Sequence, residues 1–177
     1  MHTVAFADAL RDLAVDVDPY VAWTGLEYRD VTMQSYSEVV DELGYENAKK
    51  IPEVRRFLQA LGVGVRNVIG QDAWVQALAK KISYFPNNAT VIIPDVRFPN
   101  EAKFIKGSGQ LWAVSRFNND WTEFDNGIGR DHVSESHIPY LKTIADVQIN
   151  AFDLASLKNE VLSGGKLDYL AEQRILW

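Results

Sequence analysis

With 177 residues, 47% of them hydrophobic, the chain is long enough to bury a core, and its net charge of −6 argues against a protein that coats nucleic acid. The absence of cysteine excludes a disulfide framework and a thiolate metal site. No apolar run reaches the length of a bilayer span and the first residues do not read as a signal peptide, so a cytoplasmic protein is the expectation.

In chain order, Thr3 to Ala7 reads as a short buried strand, and Asp8 as the cap of a helix to about Val15. From Tyr20 to Arg29 the chain is aromatic without a regular period, and Trp23, Tyr28 and Tyr36 could form an exposed interface. Ser35 to Leu43 reads as a short helix ended by Gly44. The next helix opens at Pro52 and closes at Gly62, with Val54, Leu58 and Leu61 as its apolar stripe. Arg55 and Gln59 are one turn apart, and Arg56 extends the polar side. These side chains could clamp a phosphate and a base edge, although a solvated helix face is the commoner meaning of paired arginines.

Val63 to Ile69 carries Arg66 and ends at Gly70. Asp72 then caps a helix from Ala73 to Ile82, on which Trp74 reads as core more readily than as a base-stacking plate. After a turn at Pro86-Asn87-Asn88, residues 90–95 form an apolar strand interrupted late by Pro94. Asp95 and Arg97 stand where that strand ends and a helix from Pro99 begins, the edge at which open α/β sheets bind ligands. They could equally be a surface ion pair. Gln110 to Ser115 is a second such strand, with Arg116 at its end. Residues 117–137 are polar and turn-rich, which suits a lid carrying Arg130. His132 and His137 lack partners at metal-ligand spacing, so no metal site is expected. Ala145 to Asn150 reads as the last strand, Asp153 caps a helix to about Leu162, and a helix over 166–176 closes the chain. Continuous apolar strands alternating with helices argue for a three-layer α/β fold.

Five segments together resemble the phage-type deoxynucleoside monophosphate kinases, a branch of the P-loop nucleotide kinases. They are residues 5–10 (Ala5 to Leu10), 52–59 with Gly62, 70–75 (Gly70 to Val75), 95–102 (Asp95 to Ala102) and 131–135 (Asp131 to Glu135), in the family's order. The resemblance implies one kinase-like domain over 1–177, built on a parallel sheet, with a helical nucleotide-monophosphate lobe at about 20–85 and a lid at about 117–137. It implies that Arg55, Arg56 and Gln59 hold the deoxynucleotide, with Arg66 and Trp74 beside them. Asp95 and Arg97 would stand at the phosphate-transfer edge, and Arg116 and Arg130 would reach the donor nucleotide or the moving phosphoryl. His132, Ser134 and Glu135 match the lid motif without individual roles. ATP with Mg²⁺ is the implied donor, a deoxynucleoside monophosphate the implied partner, and the cytoplasm of a phage-infected bacterium the implied place. No polymeric nucleic acid or membrane is involved, and a homodimer is compatible, since related kinases often dimerise.

One departure matters. The family opens with a strand and a glycine-rich loop ending in Gly-Lys, and no such run exists here. In this fold that strand lies near the centre of the sheet. Either the chain is an N-terminally shortened kinase, the favoured alternative, or it is a relative that rearranged its sheet and kept the monophosphate pocket as a non-catalytic binder.

Overall fold

The computed structural model describes residues 1–24, 31–120, 122–124 and 135–163. They form a mixed α/β protein of two compact units, Met1–Ala5 with Lys81–Trp177, and Phe6–Lys80. The boundary between the units falls close to the C-terminal end of the proposed lobe.

The Phe6–Lys80 unit begins with α1 (Ala7–Val17). Asp8 does not cap it but lies in its first turn, where its carboxylate pairs with Arg11 at 3.2 Å. The helix stops at Asp18, which takes a left-handed conformation (φ 42°). The Asp18 carboxylate accepts hydrogen bonds from the Ser37 N–H at 2.7 Å and from its hydroxyl at 2.9 Å. Between those points runs an antiparallel hairpin, β2 (Tyr20–Thr24) and β3 (Val31–Ser35), where the sequence suggested irregular chain. Its alternation of Val21 and Trp23 with outward residues is a strand pattern too short to stand out. Both residues are buried, as is Tyr36, so Trp23 and Tyr36 are core and not an exposed interface; Tyr28 lies outside the described residues.

Ser35 caps α2 (Tyr36–Leu43) in a reciprocal box with Glu38. After the single turn α3 (Tyr45–Ala48), α4 runs from Pro52 to Val68. It therefore passes straight through Gly62, which was expected to end it. Gly62 is a packing glycine: a Cβ built there would stand 3.7 Å from the Leu10 side chain of α1, and its carbonyl accepts the Trp74 indole N–H at 3.2 Å. Val54 and Leu58 of α4 join Ala14, Val21, Trp23 and Val39 in the core of this unit. Each fully buried side chain of that size contributes about 1.5–3 kcal/mol. The helix α5 (Ala73–Ile82) follows.

The other unit carries two small parallel sheets. In the first, β1 (His2–Thr3) pairs with β4 (Val91–Ile92). Both strands are shorter than expected, and Pro94 explains the end of β4, since it has no N–H to continue a ladder. In the second, β5 (Trp112–Arg116) pairs with β6 (Val147–Ala151) over five residues each. The helix α6 (Pro99–Lys106) connects β4 to β5, and α7 (Ile138–Ile144), absent from the sequence-based expectation, precedes β6. The helix α8 (Leu154–Ser163) follows β6, with Asp153 accepting from the Ser156 N–H at 2.7 Å. The expected helix over 166–176 lies outside the described residues. Among the described residues, no helix is long and apolar enough to cross a membrane.

Asp146 ties the start of β5 and β6 to α6. Its carboxylate accepts from the Leu111 N–H at 2.8 Å and pairs with the Lys106 ammonium. The Lys106 hydrogen bond and then the Leu111 N–H hold its pKa below the ordinary 3.8. A depressed carboxylate pKa stabilises the fold at pH above that ordinary value, and the contribution disappears as pH falls through the lower folded value. Asp146→Asn is therefore expected to lower the melting temperature at pH 7 and to make little difference in strong acid, as thermal melts across pH would show. Gly62→Ala is expected to stabilise by about 0.5–1 kcal/mol, because a helix-interior glycine with ordinary space for a methyl group gains helix propensity. A glycine that terminated the helix would instead lose stability on the same change, so denaturant unfolding separates the two cases.

Candidate functional site

In the unit built on parallel strands, the polar residues gather at strand ends. Beyond β4, Val96 packs against the cluster of Ala102, Leu111 and Leu141. Asp95 and Arg97 flank Val96 in the sequence. Asp95 is half-buried and Arg97 exposed. Pro99 then opens α6 from an extended Phe98. Phe98 meets the His137 ring at 5.4 Å between centroids, which joins this turn to the 3₁₀ turn at Glu135–His137. Arg116, the last residue of β5, is exposed. Its guanidinium lies 4.2 Å from the centre of the Phe124 ring, and its Nε donates to the Phe152 carbonyl at 3.3 Å. Asp95 and Arg97 follow β4 by three and five residues, and Arg116 is the last residue of β5, so all three come after or at the carboxyl ends of parallel strands, where open α/β sheets place ligands. Arg130, His132 and Ser134 lie outside the described residues, as does the side chain of Glu135.

In the Phe6–Lys80 unit the relevant element is α4. Arg55 is exposed and makes no side-chain hydrogen bond or ion pair among the described residues. Gln59, one turn later, is half-buried. Arg56 pairs with Glu53 at 2.8 Å, an exposed contact worth a few tenths of a kcal/mol, so a competing phosphate displaces it at little cost. An open cavity of about 1110 Å³ lies beside this helix, with Trp23, Asn47, Lys50 and Arg56 among its walls. Lys50 donates to the Asn47 side-chain carbonyl at 2.8 Å. Lys50 and Asn47 were not singled out from sequence, because the single-turn helix α3 that carries Asn47 has no periodic signal.

Arg66 and Trp74 lie on either side of the turn between α4 and α5. Arg66 is buried, and its Nη1 donates to the Gln71 carbonyl at 3.0 Å while the Gln71 amide donates back to the Arg66 carbonyl at 3.3 Å. Trp74 is buried with its N–H on Gly62. Both side chains brace the turn between α4 and α5. Among the described residues no group of three or more His, Asp and Glu side chains is gathered to hold a metal ion.

The residue that sequence reasoning passed over is Glu101. It is only 2% exposed, and its Oε2 accepts from the Arg97 N–H at 2.8 Å and the Phe98 N–H at 3.0 Å. A carboxylate at the third helical position reaching back to the entry of the helix is half of a capping box, and a Glu two residues after Pro99 was the available signal. It fixes the backbone that carries Arg97. Glu101→Ala leaves two half-buried N–H groups without their acceptor and is expected to cost about 1–3 kcal/mol in denaturant unfolding. Glu101→Gln, which keeps one acceptor oxygen, is expected to cost less. No protein-family model matches this sequence, and neither the curated proteins nor the solved structures contain a match to it.

Proposed function

We propose that the chain binds a deoxynucleoside monophosphate as the acceptor in phosphoryl transfer from ATP, the reaction of a deoxynucleoside monophosphate kinase. The supporting observation is Arg55. It is an always-charged fork, with no competing carboxylate among the described residues, one helical turn from an amide that can both donate to and accept from a base edge. The order of the five segments supports the same assignment.

In such a reaction an oxygen of the acceptor phosphate attacks the γ-phosphorus of ATP, and the bond to the bridging oxygen breaks to release ADP. The protein supplies position and positive charge. Arg55, Arg56 and Gln59 hold the acceptor. Asp95, Arg97, Arg116 and Arg130 are assigned to the transferred phosphoryl by resemblance. The finer architecture that goes with this function is a three-layer sheet with a lid over 117–137 that excludes water. Its setting is the cytoplasm of a phage-infected bacterium.

The donor triphosphate with its Mg²⁺ fits the described residues less well. It calls for backbone N–H groups presented by a glycine-rich turn at a helix start, with a lysine. Gly62 and Gly64 lie inside α4. Gly107 and Gly109 follow the C-terminal end of α6, where a helix presents carbonyl groups. This placement favours a second function for residues 1–177, retention of a deoxynucleotide without turnover.

Calorimetry with the four deoxynucleoside monophosphates tests the binding common to both. At least one is expected to bind, and Arg55→Ala to weaken it about 10–100-fold, the range for a hydrogen-bonded charge. Absence of binding, or affinity unchanged by Arg55→Ala, overturns the assignment. ADP release in the presence of ATP then separates a kinase from a binder.

A further inference from the structure

The cavity of about 1110 Å³ beside α4 belongs to the Phe6–Lys80 unit and lies between the hairpin, the end of α2 and the start of α4. Its walls divide by chemistry. Ala22 and Val31 of the hairpin, Leu43 of α2, and Ile51 and Pro52 at the start of α4 form an apolar lining. Four charged side chains join them: Glu42, Lys50, Glu53 and Arg56. Glu53 and Arg56 neutralise each other at 2.8 Å. Glu42 and Lys50 have no ion-pair partner among the described residues.

Each of these two charges is held by a neutral amide instead. The Gln34 amide donates to Glu42 Oε2 at 3.4 Å, and Gln34 is itself fixed, because its Oε1 accepts the indole N–H of the buried Trp23. The Lys50 ammonium donates to Asn47 Oδ1 at 2.8 Å, and Asn47 Nδ2 donates to the Leu43 carbonyl at 3.0 Å. The two relays match: an anchored amide stands behind a carboxylate on one side and behind an ammonium on the other. An amide orients a charge without cancelling it, whereas a counter-ion does both. Glu42 Oε1 and the remaining hydrogens of the Lys50 ammonium have no partner among the described residues. A few oriented polar groups in an otherwise apolar pocket are what a small-molecule site requires.

We propose that this cavity binds an apolar zwitterion: a small molecule with a cationic group for Glu42, an anionic group for Lys50 and a hydrophobic body against the apolar walls. Free hydrophobic amino acids and short hydrophobic peptides share that chemistry. Small-ligand pockets usually enclose about 300–1,000 Å³, so there is room for either. A simple anion would leave Glu42 unmatched, and a wholly apolar ligand would withdraw both charges from water without replacing their hydration. Arg55 and Gln59 do not line the cavity, so the site is separate from theirs and does not depend on the kinase assignment. Arg56, which borders both, stays paired with Glu53.

Calorimetry on the full chain, with leucine and leucyl-leucine as the probes, tests this. At least one is expected to bind at millimolar concentration or below. The N-acetyl form of that probe lacks the cation and its amide form lacks the anion. Each is expected to bind about tenfold more weakly, the loss of one hydrogen bond between charged groups. Two substitutions then assign the charges. In Glu42→Met the penalty for acetylation is expected to vanish while that for amidation remains, and in Lys50→Met the reverse. Both side chains are exposed, so both variants are expected to melt near the parent temperature. Four results overturn the proposal: no binding of either probe at millimolar concentration; neutralised forms that bind as tightly as the zwitterion; penalties unchanged in both variants; or displacement of the probe by a deoxynucleoside monophosphate whose own binding needs Arg55, which makes the cavity part of the acceptor site.

Discussion

A β-strand has two edges, and every peptide unit along it must pair on one or the other. That requirement governs the parallel half of this protein. Each described parallel strand is satisfied on one side by a single partner, and the four strands stop at two ladders of two. Ala102 of α6 and Leu141 of α7 pack with Leu111 in one buried cluster. Strand length follows from pairing: β4 is regular for only two residues although five apolar or β-branched residues stand in its row. The other unit shows the opposite case. There the hairpin of β2 and β3 closes on itself, and Tyr36 and Val39 of α2 seal it without exposure.

Much of this was legible in the sequence wherever a local signal coincided with a local cause. Pro52 and Pro99 mark true helix starts because a helix start is the one place where a missing N–H costs nothing. Asp153 and Ser35 cap because their side chains reach their own helices. The failures arise where the cause is tertiary. Gly62 looks like a terminator until Leu10 and Trp74, 52 positions before and 12 after it, are seen to press against that turn. The β2–β3 hairpin was invisible because its inward residues, Val21 and Trp23, give a period of two for too short a run.

The site divides in the same way. Residue type announced that arginines matter, but only structure separates their duties. On one helix Arg55 has no side-chain partner among the described residues, Arg56 leans on a neighbouring glutamate, and Arg66 is held into the turn that follows. Charge alone gives all three the same reading. What distinguishes them is desolvation: Arg66 is withdrawn from water and its hydrogen bonds are internal, so its charge serves the fold, whereas Arg55 keeps its hydration and can exchange it for a ligand.

Pro94 has one more effect. It follows Thr90 and Ile92 in the alternation that faces β1, so the donor that would continue the β1–β4 ladder is missing and the pairing ends there. The chain beyond Val4, which donates to the Ile92 carbonyl at 3.0 Å, meets no further donor from β4. The next residues on the β4 side are Asp95, Val96 and Arg97. Pro94 therefore acts as a length gauge for β1 and β4, setting where their shared ladder stops and leaving Asp95 and Arg97 beyond it.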